Sequence, residues 1–77
     1  MTPNPSISTY KLIEGKEFIP LDKLLKLLNF VGSGGEAHIR IDQGEVLVNG
    51  KVELQRRKKM RAGDIAEFRN QRIKIEG

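Results

Sequence analysis

With 77 residues and no cysteine, the chain makes one domain too small for a deep pocket, and disulfide scaffolds, cysteine nucleophiles and thiolate zinc sites are excluded together. A net charge of +4 and a pI near 9.7 favour polyanionic partners, while 38% hydrophobic and 31% charged residues exclude wholesale disorder. No apolar run approaches the roughly 20 residues that span a bilayer, and the N-terminus lacks the regions of a signal peptide, so a cytoplasmic chain with no membrane role is expected.

Residues 1–6 set Pro3 and Pro5 among small polar side chains and read as a disordered lead, with a single domain expected over residues 7–77. Ile7, Tyr10, Leu12 and Ile13 predict a first strand, closed by a turn at Glu14-Gly15-Lys16-Glu17. Phe18 and Ile19 lead into Pro20, which fits the first turn of a helix because its missing N–H would be unpaired there anyway. Asp22 falls in that same turn and suits the helix dipole. From Leu21 the apolar residues Leu21, Leu24, Leu25 and Leu28 recur at i, i+3, i+4 and i+7, which is one helix face. Lys23 and Lys26 occupy the other.

Residues 29–32 form a short connector to a second helix over residues 33–44. Ser33 and Glu36 have the spacing of a reciprocal N-terminal cap, and Gly44 suits the left-handed turn that stops a helix. Ala37 and Ile41 lie four apart on its inner face, where a small residue lets two helices approach closely. Val46 and Val48 then alternate as a strand and meet Asn49-Gly50, the dipeptide that supplies two positive φ angles for a tight hairpin. Residues 51–54 read as the returning strand and 55–59 as a surface loop, with Met60 as its buried anchor. Ala62-Gly63-Asp64 is a turn. Ile65, Ala66 and Phe68 mark one further strand and Ile73 and Ile75 another, with residues 69–72 as the hairpin tip. The fold class is α+β: two packed helices against a small, mostly antiparallel sheet.

A hydrolytic set of Ser33, His38 and Asp42 fails on geometry, because a rise of about 1.5 Å per residue puts the two ends roughly 13 Å apart on one helix. His38 is the only histidine, so a metal site would need carboxylates alone as further ligands, and no metal or cofactor is expected. Gly32-Ser33-Gly34-Gly35 lacks the Lys and Ser/Thr that complete a nucleotide-binding loop. What survives is one phosphate contact at a helix N-terminus, opposed by Glu36, or simple capping. The charge excess is local: six cations stand between Lys51 and Arg61 against the single acid Glu53. From the residues alone that run is a solvated loop, a footprint for a phosphate backbone, or a contact for acidic protein or membrane.

Four motifs bear on the choice. Leu21-Asp22-x-x-Leu25, Ser33-Gly34-Gly35-Glu36-Ala37, Ile41-x-x-Gly44-x-Val46-x-Val48-Asn49-Gly50 and Gly63-Asp64-x-x-x-Phe68 together resemble the RNA-binding domain named after ribosomal small-subunit protein S-four, also called the alpha-L motif. Ser-Gly-Gly-Glu-Ala and the Glu53-x-x-Arg56-x-x-Lys59 spacing look most like its small stand-alone YbcJ-like members. The resemblance implies a non-catalytic module that binds structured RNA through its helix pair and adjacent basic loop. Carried over by position, the RNA-facing residues are Lys23, Lys26, Ser33, Gly34, Gly35, His38, Lys51, Arg56, Arg57, Lys58, Lys59 and Arg61. Pro20, Gly34 and His38 depart from residues common in the family, which shifts the expected weight from the second helix toward the loop. A monomer is expected, with the ribosome or its precursors as the source of RNA. The alternative is a protein-interaction or ribosome-docking module whose basic loop meets acidic protein.

Overall fold

Alternating side chains from three strands and the apolar faces of two helices meet in a single core. The computed structural model describes residues 7–77, so the lead expected over residues 1–6 lies outside the described residues. In chain order the elements are β1 (Ile7–Lys11), β2 (Ile19–Pro20), α1 (Leu21–Leu27), α2 (Gly34–Asp42), β3 (Val46–Val48), β4 (Lys51–Val52), β5 (Lys59–Met60), β6 (Ile65–Phe68) and β7 (Gln71–Glu76). Five strands form one sheet in the order β1-β7-β6-β3-β4, antiparallel except for the parallel β1–β7 pair. β2 and β5 make a separate antiparallel pair.

Register puts Val46 opposite Phe68, Val48 opposite Ala66, and Ala66 opposite Ile73. With Ile75, these are the buried positions of their strands, because side chains two apart share one sheet face. Leu21, Leu24 and Leu25 of α1, Ala37 and Ile41 of α2, Ile19 of β2 and Met60 of β5, with Leu12 and Val31 from connecting segments, complete the same cluster.

The leucine helix is short, and its start differs from the expectation. Pro20 is the N-cap rather than a first-turn residue, with φ −63° and ψ 142°. As a β2 residue it also pairs with Lys59, a position open to proline in a two-residue strand. The next N–H groups are not left to water. Leu21 donates to the Lys58 carbonyl at 2.9 Å and Asp22 to the Arg56 carbonyl at 3.1 Å, so the backbone of the basic loop caps the helix.

In α2 the Ser33 hydroxyl accepts from the Glu36 N–H at 3.1 Å, as the capping pattern requires. The return bond is displaced by one residue: the Glu36 carboxylate accepts from Gly32 N–H at 2.8 Å. The helix stops at Asp42, short of residue 44, and Gly44 takes φ +78°.

Other boundaries move for local reasons. Asn49 and Gly50 adopt φ 53° and 85°, the hairpin geometry expected of them. The returning strand is shorter than residues 51–54: Glu53 N–H still donates to the Val46 carbonyl at 2.9 Å, but the Glu53 carboxylate accepts from Gln55 N–H at 3.1 Å, a local bond that competes with further pairing. Lys59 belongs to β5 rather than the loop. The β6–β7 tip is Arg69-Asn70, at φ 52° and 67°, with Gln71 and Arg72 already in β7.

Ala37 is fully buried in the α1–α2 contact. Replacing it with Phe should destabilise the chain by about 1–3 kcal/mol through overpacking. Each kcal/mol corresponds to about 4–8 °C in Tm for a domain of this size. Thermal unfolding of the Ala37→Phe variant at the wild-type temperature would refute this placement.

Candidate nucleic-acid interface

One buried carboxylate organises the basic surface. Asp22, the second residue of α1, is only 6% exposed, and among the described residues it is the one charged side chain in the interior. An ionised carboxylate out of water must be paired and hydrogen-bonded. Its Oδ1 accepts from the Lys23 N–H at 2.8 Å. Oδ2 lies 2.9 Å from His38 Nε2 on α2 and 3.3 Å from Arg57 Nη1 in the loop. Because a carboxylate only accepts, Nε2 carries the proton in that bond.

Three separate segments therefore converge on one acid. Lys26 is four residues beyond Asp22, one turn along the same helix stripe. Lys23 and Arg57 line a common groove. The Arg57 side chain is 71% exposed although its tip is tethered to Asp22.

Its neighbour behaves differently. Arg56 turns the other way and forms a bidentate pair with Asp42 at the end of α2, Nε to Oδ1 at 3.0 Å and Nη2 to Oδ2. That hydrogen bond holds the Asp42 carboxyl below its ordinary range and raises Arg56 further. Of the two adjacent arginines expected to act alike, one is thus committed within the chain.

Lys58 is half-buried, and its N–H closes the loop onto the Gln55 carbonyl at 3.2 Å. Lys59 Nζ and Arg61 Cζ stand 5.2 and 5.9 Å from the Phe18 ring centre, within cation–π range. Lys51 is exposed on the edge strand β4, outside the Asp22 hydrogen-bond cluster.

The start of α2 is less open than its Ser33-Gly34-Gly35 sequence implies. Ser33 is engaged in capping, and the Glu36 carboxylate sits on Gly32 N–H, the bond that most lowers its pKa. An ionised acid there opposes a phosphate approaching the Gly34 and Gly35 N–H groups.

Sequence reasoning read Asp22 as a dipole partner and as part of the Leu21-Asp22-x-x-Leu25 motif, and missed its central role. The signal to be found was a lone acid in the Lys23 and Lys26 region of a basic chain. Phe18, the ring beside Lys59 and Arg61, was read only as a lead into the helix.

Residues 11–76 match the family described as S4 domain. "Putative RNA-binding protein YbcJ" of Escherichia coli (strain K12) is 37% identical over 57 residues, which cover 74% of this chain and 81% of that protein. "Probable ribosome maturation protein RlbA" of Bacillus subtilis (strain 168) is 39% identical over 52 residues, covering 68% and 73%. The solution structure of YbcJ from E. coli, described as revealing an alfa-L motif involved in RNA binding, aligns with a TM-score of 0.66 and 28% identity. That alignment covers 100% of this chain and 94% of the other.

Asp42 and Glu36 both titrate lower in the folded chain than in the unfolded one. Their contribution to stability is therefore complete above the unfolded carboxylate pKa and is lost as pH falls through the folded values. Melting temperature should drop on acidification below the ordinary carboxylate range. The Asp42→Asn variant should show a shallower drop; an acid limb as steep as wild type would remove the Arg56 pair from the account.

Proposed function

Because the chain belongs to the S4 domain family, we propose that it is a non-catalytic module that binds folded RNA by shape and phosphate. The observation that carries this reading is the convergence on Asp22, which draws α1, α2 and the basic loop together through the Lys23 N–H, the His38 ring and the Arg57 guanidinium; Lys26, one turn further along α1, would flank them. A-form RNA offers its phosphates and 2′-hydroxyls on a curved surface, and several cations held at fixed separations on rigid elements suit such a target. Lys58, Lys59 and Arg61 extend the surface along the loop and β5, while Lys51 forms its outer margin. Ser33, Gly34 and Gly35 contribute least, given the acid in front of them. Ribosomal RNA or its precursors is the first target to test, in view of the ribosome-maturation name of the Bacillus relative.

Arg56 distinguishes this proposal from a simple count of positive charge. In a binding assay against a ribosomal RNA fragment across a salt series, alanine at both Arg57 and Lys58 should weaken affinity and reduce the salt slope by roughly one unit for each phosphate no longer neutralised. Arg56→Ala should change the slope far less, since Asp42 already neutralises that guanidinium. Wild-type affinity and slope in the double variant would take the loop out of the site. If acidic protein competes the RNA away at equal charge concentration, the docking alternative is favoured instead.

A further inference from the structure

An open groove of about 740 Å³ runs between the turn after β1 and helix α1, a size within the range of small-molecule sites. Its apolar lining includes Tyr10, Ile13, Phe18 and Leu27. Ile13 and Leu27 are 63% and 52% exposed, so the groove holds aliphatic side chains open to water beside two half-buried aromatic rings. Lys16, Lys23 and Arg57 also line it, against Glu17 as the one acid. An apolar, ring-bearing wall beneath an excess of positive charge complements a ligand that is flat and aromatic at one end and anionic at the other.

We propose that this groove is a base pocket that takes one unpaired nucleotide, its base against Tyr10, Phe18 and Leu27 and its phosphate against Lys23 and Arg57. The proposal rests on the RNA-binding reading above and deepens it. Arg57 is bound to Asp22 through its guanidinium and Lys23 through its backbone N–H, and both residues line the groove, so a backbone gripped by their cations carries its next nucleotide to the groove mouth. Stacking on aromatic and aliphatic walls is tolerant of base identity. The pocket therefore selects for a bulged or looped-out nucleotide rather than for a sequence, a preference that fully paired A-form RNA cannot satisfy.

Tyr10 is the only tyrosine and the chain has no tryptophan, so tyrosine emission reports on the groove directly. The full chain is titrated, at one salt concentration, with an RNA hairpin carrying one bulged uridine, with the same hairpin fully paired, and with an acidic peptide bearing apolar side chains. The bulged hairpin should bind about tenfold more tightly, in keeping with one stacked base, and should alter Tyr10 emission. Leu27→Glu, at an exposed position outside the core, should bring the ratio between the hairpins close to one, with the paired hairpin measuring the effect of the added charge alone. Equal affinity for the two hairpins with unchanged emission overturns the pocket and leaves the RNA-binding reading standing. Binding of neither hairpin overturns both. Emission that answers to the peptide, with no hairpin preference, assigns the groove to peptide and also overturns the proposal.

Discussion

Burial of the Asp22 carboxylate is the constraint from which the arrangement of the basic surface follows. A charge removed from water costs several kcal/mol unless partners restore what solvent supplied. Here the partners come from three places: the neighbouring N–H of α1, the imidazole of α2 and the guanidinium of the loop. Any motion that separated those segments would strip the carboxylate of both its cross-chain partners and leave it only the adjacent N–H. A surface assembled from unconnected stretches of chain is thereby held in one geometry, and proposed RNA-facing groups on α1, α2 and the loop move together.

The backbone imposes a second dependence in the same place. An isolated helix of seven residues is far below the length that is stable in water. α1 persists because its leucines are buried and because its first N–H groups find the carbonyls of Lys58 and Arg56. Those bonds in turn fix the loop, whose side chains would otherwise sample many conformations at considerable entropic cost when ordered by a ligand. The segment carrying the densest positive charge is thus tied into the fold by backbone bonds while its side chains remain largely in solvent.

What was legible in the sequence was local or periodic. The leucine face, the Ser33 cap, the Asn49-Gly50 turn and the alternation in β3, β6 and β7 each depend on residues a few positions apart, and they led to the α+β fold with its mostly antiparallel sheet. The β2–β5 pair was not legible, because two-residue strands show no alternation and their partners lie far apart in the chain. Nor were the ion pairs of the site. Asp22 meets His38 and Arg57 at sequence separations of 16 and 35, and Arg56 meets Asp42 at 14. Nothing in Arg56-Arg57 as a dipeptide tells which arginine is held by which acid.

That division follows from where the two acids stand. Loop carbonyls at positions 56 and 58 are bound to the start of α1, which fixes the backbone between them. The side chain of Arg56 reaches the end of α2, where Asp42 meets it in the bidentate geometry that suits a guanidinium. Arg57 reaches Asp22 with one nitrogen while its side chain stays largely exposed. Two adjacent residues of the same type thus acquire different chemistry, one a closed pair that braces the loop against α2, the other an anchored cation with donors to spare. Net charge counts them equally, but an approaching polyanion would have to break a bidentate pair to use the first and only add to the second. The direction in which the proposed surface binds is therefore set as much by its two aspartates as by its lysines and arginines.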